Sequence, residues 1–136
     1  MRIEVNGVRL FVDIEGAKLA PDGPAIRERP TLITLHGGPG SDHLAGRPSI
    51  APLADVAQLV FFDMRGHGRS ERSDAAHWNL NQWADDLAGL CDALEIEKPI
   101  VMGQSFGGYV AMTFAVKYPD RPAKLIIGST RRSAEP

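Results

Sequence analysis

Three times in this chain a short apolar run ends in a cluster of glycines and polar residues. Thr31 to Leu35 runs into His36-Gly37-Gly38-Pro39-Gly40. Leu59 to Asp63 runs into Arg65-Gly66-His67-Gly68, and Pro99 to Met102 into Gly103-Gln104-Ser105-Phe106-Gly107-Gly108. Runs this short, with no polar alternation, predict strands buried on both faces, the habit of a parallel sheet. Helical patterns lie between them. Asn79 stands as a cap before Leu80, Trp83, Leu87, Leu90, Cys91 and Leu94, which share one helix face, with Gln82, Asp85, Asp86 and Asp92 away from it. From Phe106 to Tyr118 only Thr113 and Lys117 are clearly polar before Pro119, which predicts a helix packed deep in the core. Lys124 to Ile127 reads as a fourth buried strand. Strands alternating with helices predict an α/β fold with a parallel sheet.

An antiparallel hairpin precedes that sheet. Ile3 and Val5 alternate with polar residues, Asn6-Gly7 supplies the turn, and the strand pattern resumes from Val8 towards Ile14. Residues 17–30 carry Pro21, Asp22-Gly23, Pro24 and Pro30 and read as a loop. A short helix is expected from Ile50 to Val56. The 136 residues suit one domain, and 43% hydrophobic with 24% charged residues is an ordinary globular composition.

Charge and cysteine content narrow the function. Fifteen Lys and Arg against seventeen Asp and Glu leave a net charge of −2, so no electrostatic case exists for nucleic acid or an anionic membrane as partner. The single cysteine, Cys91, excludes an internal disulfide framework and a cysteine-rich zinc site. The four histidines, His36, His43, His67 and His77, lack metal-ligand spacing with carboxylates. No phosphate-binding glycine motif has the required spacing, so neither a metal nor a cofactor is expected. No apolar run approaches the roughly 20 residues that span a bilayer. Residues 1–16 hold five charges and no apolar core of a signal peptide, and a cytoplasmic setting is the default.

The three clusters stand at the C-terminal ends of three parallel strands, where open sheets bind ligands. Gly103-Gln104-Ser105-Phe106-Gly107 fits G-x-S-x-G in a strand–turn–helix context. Such a turn exposes a serine hydroxyl at a helix N-terminus, and Gly103 and Gly107 relieve the clash between strand and helix. Ser105 is thus the candidate nucleophile; the alternative is a serine that caps a helix, with glycines for close packing. In His36-Gly37-Gly38-Pro39-Gly40 the glycines let backbone N–H groups face a developing oxyanion, with the N–H of Phe106 as the second donor. The alternative there is a plain turn. Asp63 and Arg65, in Asp63-Met64-Arg65-Gly66-His67-Gly68-Arg69-Ser70, read as scaffolding that fastens a turn by hydrogen bonds.

In this order and spacing the motifs resemble the α/β-hydrolase superfamily, and the HGGPG element resembles its proline iminopeptidase-like branch. The resemblance implies Ser105 as nucleophile and the N–H groups of Gly38 and Phe106 as oxyanion hole, Gly37 being the less suited donor. It implies an α/β-hydrolase-type, mostly parallel sheet with an N-terminal antiparallel hairpin, incomplete at about six strands, with no cap and no last two strands. Residues 1–136 then form the N-terminal portion of such a core. The family's catalytic acid and histidine follow later strands and have no matching positions here. Glu135 follows the last strand, where some relatives place the acid, but no histidine follows it. His43 and His77 lie in loops with nothing to mark them as bases.

Two functions compete. One is a serine hydrolase of amide, N-terminal peptide or ester bonds, taking a small-molecule or short-peptide acyl substrate once an Asp and a His are supplied. The other is a catalytically incompetent piece or interaction module. A nucleotide-binding domain is a third and weaker reading. The resemblance also leaves Lys124–Ile127 as an apolar sheet edge that a second chain or a second copy would cover.

Overall fold

A computed structural model describes residues 1–131. Asn6 (φ +48°) and Gly7 (φ +81°) adopt the left-handed conformations of a tight hairpin turn between β1 (Arg2–Val5) and β2 (Val8–Glu15). The segment expected as a loop over 17–30 contains a second hairpin, β3 (Leu19–Asp22) and β4 (Ala25–Glu28). This corrects the loop reading. Gly23 makes the turn at φ +60°, and Pro21 is tolerated because the two-stranded ribbon is exposed and joins no larger sheet.

The main sheet holds β5 (Thr31–Leu35), β6 (Gln58–Phe62), β7 (Ile100–Gln104) and β8 (Lys124–Gly128) besides the first hairpin. Its order is β1-β2-β6-β5-β7-β8. β2 pairs antiparallel with β1 and with β6, and β5, β6, β7 and β8 are mutually parallel. The predicted architecture of six strands with an antiparallel entry is therefore found.

Side-chain alternation along β5 and β6 divides the core between two faces. Ile33, Leu35, Val60 and Phe62 join Val101 beneath α2 (Leu80–Ala93) and α3 (Phe106–Lys117), which pack on each other. Leu32, Leu59 and Phe61 face the other way, towards Ile50 and Ala54. The helix expected over 50–56 is instead one α turn, α1 (Arg47–Ile50), followed by a 3₁₀ segment, Ala51–Asp55. Pro52 lacks the N–H that a continuing α-helix would need.

Three burial expectations are also corrected. Asp86 lies on the buried face of α2, not with the solvent-facing acids. α3 buries Val110, Ala111 and Phe114, yet Val116 is 83% exposed, so only one side of this apolar helix is covered. β8 is exposed along its length, with Leu125 at 38%, Ile126 at 45% and Ile127 at 36%. Its physical reason is position: β8 is the edge strand, and no described element covers it fully.

Candidate active site

β7 delivers Ser105 to the mouth of α3. Its backbone sits at φ +51°, ψ −114°, a conformation costly for any residue with a Cβ. Surrounding bonds hold it there. Ser105 N–H donates to the Gly128 carbonyl at 2.8 Å, and the Ser105 carbonyl accepts from Gly108 N–H at 2.9 Å and Thr130 Oγ1 at 2.8 Å. The Ser105 side chain makes no capping hydrogen bond to the helix it precedes, so the helix-cap alternative for this serine is not what the turn displays.

The glycines around it are required by close approach. A Cβ on Gly107 would overlap the carbonyl oxygens of Leu35 and His36, and one on Gly103 would overlap the Gly107 carbonyl. Strand, turn and helix can meet at this spacing only without side chains at these two positions. The 36–40 loop lies directly against the turn, with the Cβ position of Gly37 3.7 Å from Ser105 Cβ. Gly38 stands at φ +132° and joins Pro39 by a cis peptide bond, and Gly40 is at φ +97°. Thus the 36–40 loop and the Ser105 turn come together at the C-terminal ends of the adjacent strands β5 and β7.

His36 belongs to the wall of the site. Its Nδ1–H donates to the Gly37 carbonyl at 2.8 Å, and its Nε2 accepts from Met64 N–H at 3.1 Å. Burial holds this imidazole below the ordinary value of 6.5 and nearby His67 adds to that, while the Gly37 carbonyl, Asp63 and Asp42 act in the opposite sense. The rings of His36 and His67 meet edge to face at 5.0 Å, and Phe106 packs at 90° on Trp83 with 5.0 Å between centroids.

Asp63 and Arg65 are both buried and hydrogen-bonded at the 63–70 turn. Burial would raise the Asp63 carboxyl. Bonds from Arg69 N–H, His43 N–H and the His43 ring outweigh it and hold the group below 3.8. Arg65 makes a two-pronged ion pair with Asp86, at 2.8 and 2.9 Å, and also donates to the Asn6 carbonyl. Trp83 Nε1–H donates to the Arg65 carbonyl at 3.0 Å, tying the turn to α2.

Three contributors escape a reading of the sequence. Thr130 braces the serine turn from beyond β8, where only a lone threonine marks it. His43, expected as a loop residue with nothing to mark it as a base, is buried with its Nδ1–H on Asp63 at 2.7 Å. Asp86 is paired across 21 residues. None of the four histidines is hydrogen-bonded to Ser105 Oγ, and His77 lies in an exposed 3₁₀ turn, Ala75–His77. Glu135 falls outside the described residues.

A family model for the alpha/beta hydrolase fold matches residues 30–135. This chain belongs to the alpha/beta hydrolase family. Among its relatives, the proline iminopeptidase PfmaB of Pestalotiopsis fici is 36% identical over 126 residues, covering 90% of this chain and 44% of the relative. The 2-hydroxymuconate semialdehyde hydrolase of a Pseudomonas species is 39% identical over 98 residues, covering 71% of this chain and 35% of the relative. A solved thermophilic esterase from Thermogutta terrifontis superposes with a TM-score of 0.83 at 31% identity, covering all of this chain and 48% of the esterase. The chain thus spans less than half the length of these relatives. Among the described residues no helix is long and apolar enough to cross a membrane, and no cluster of His, Cys, Asp or Glu is placed to hold a metal ion.

Proposed function

We propose that this chain is the N-terminal, nucleophile-bearing portion of a serine hydrolase core acting on acyl substrates: amide, N-terminal peptide or ester bonds. The carrying observation is Ser105 itself, held at φ +51° at a helix mouth with its hydroxyl uncommitted to the helix. Structural strain of this kind persists where a fold over-determines it, and it clusters at reactive groups.

In this reading Ser105 Oγ attacks the acyl carbon as a base takes its proton. The carbonyl oxygen gathers charge against the N–H groups of Gly38 and Phe106. The carbon–nitrogen or carbon–oxygen bond then breaks, the leaving group takes the proton, and an acyl-enzyme remains. Water releases the acid by the same steps. The base and acid come from outside residues 1–136. With oxyanion hole and binding alone, the rate would stand at roughly 10³–10⁴-fold over water, far short of a full triad.

β8 supports a route for supplying them. A parallel strand added along its free edge would end at the same side as β5 and β7, beside Ser105. The proposed occupant is the polypeptide that carries the acid and the histidine. Substrate selection would reside there as well. A fluorophosphonate probe tests the assignment, applied to the chain alone and after mixing with the C-terminal half of a matched hydrolase. Labelling that disappears in Ser105→Ala is expected, at least in the mixture. If Ser105 labels in neither, the nucleophile reading fails and the catalytically incompetent module stands.

A further inference from the structure

We infer that His36 is a positioning residue whose neutral imidazole clamps the 36–40 loop to the 63–70 turn, and that its protonation releases the clamp. The inference rests on the reading of that loop as the oxyanion loop, though its geometry stands on observed bonds.

The two partners of the ring leave a single protonation state. Gly37 offers a carbonyl, which only accepts, so Nδ1 must carry the hydrogen. Met64 offers an N–H, which only donates, so Nε2 must be bare. A second proton would set Nε2–H against Met64 N–H, two donors facing each other in a buried site. The bond to Met64 would break, and with it the tie between the two loops.

What the clamp fixes is the direction of the Gly37 peptide. With its carbonyl turned into the ring, the N–H of Gly38, which belongs to that same peptide unit, points the opposite way. The same ring meets His67 edge to face, and His67 Nδ1–H donates to the Arg65 carbonyl at 3.0 Å. His67 in turn lies 5.8 Å from Trp83 and 6.1 Å from Phe106, centroid to centroid. One aromatic chain thus joins the residues that supply both proposed oxyanion donors. The titratable groups acting on the His36 ring are His67, Asp63 and Asp42. Asp63 already accepts from His43 N–H, the His43 ring and Arg69 N–H and makes no hydrogen bond to the His36 ring.

Nitrogen-15 NMR of the whole chain decides this without any activity. The expected result is His36 as the Nδ1–H tautomer at pH 7.5. On acidification the amides of Met64, Gly37 and Gly38 should move together with the ring, at one midpoint below 6.5. His36→Gln, whose side-chain oxygen can accept from Met64 N–H, should keep the fold and lose that titration step. An Nε2–H tautomer, or a ring that titrates while those three amides stay still, overturns the proposal. Where Ser105 labels with fluorophosphonate, the pH profile of the rate should show a step at the same midpoint in the native chain that His36→Gln lacks, apart from any step common to both that belongs to the supplied base. His36→Ala should slow labelling by about 10²-fold, the effect of a misplaced oxyanion donor. If Ser105 never labels, the hydrolase reading fails while the NMR result still judges His36.

Discussion

Asp86 carries two bonds from Arg65 in the interior, and further bonds from Asn6 and Gln82. Removing one member strands the other charge away from water. Asp86→Ala should therefore cost about 3–5 kcal/mol in denaturant unfolding, whereas replacing both residues with apolar ones of similar volume should recover most of it. His36 gives a pH signature at the same scale. The folded state holds its ring neutral below the ordinary value of 6.5, so on acidification the unfolded chain takes the proton first. Stability from this group is complete above pH 6.5 and declines as pH falls below it. Asp63, held below 3.8, loses its contribution only in a lower window. Melting curves between pH 8 and pH 5 should show the upper decline in the native chain and not in His36→Gln. Residues with a local signature, such as Ser105 between its glycines, were legible in the sequence. Asp86 was not: it stands three residues after Trp83 and four before Leu90, at the flank of the apolar stripe, but an acid there reads as solvent-facing, and the partner that neutralises it lies 21 residues away.

The elements with internal punctuation were the readable ones. Asn79 accepts from Gln82 N–H at 2.9 Å and starts α2 where the cap pattern placed it. Asn79→Ala should lower stability by about 1 kcal/mol, read by the same unfolding experiment, with the burial of Trp83 and Leu87 unchanged. The Asn6-Gly7 turn was equally plain. Gly23 marked a turn as well, but the flanking residues of β3 and β4 are nearly all exposed, so no hydrophobic alternation announced the strands. The short helix near residue 50 differs for a covalent reason: Pro52 has no N–H to continue the α turn of Arg47–Ile50, and the chain goes on as the 3₁₀ segment Ala51–Asp55.

At the scale of the whole molecule the open edge at β8 sets the behaviour expected in solution. Among the described residues β8 pairs only with β7, so its outer side, beside Leu125, Ile126 and Ile127, forms a template for another strand. Without the polypeptide proposed to cover it, the chain should associate with itself at micromolar concentration in sedimentation velocity. Ile126→Lys, which places a charge on the edge, should restore the monomer. A monodisperse native monomer would count against the edge as a docking site. The sequence by itself determined the order of the main-sheet strands and of the two long helices, the antiparallel entry and the serine turn, because each is written in local periodicity, glycine placement and caps. Only the tertiary structure decided which apolar residues are covered, which acid is paired inside and which histidine is locked. Those depend on neighbours distant in the chain. The exposed face of β8 is the plainest case: its residues read as interior, and its position at the sheet's edge makes them surface.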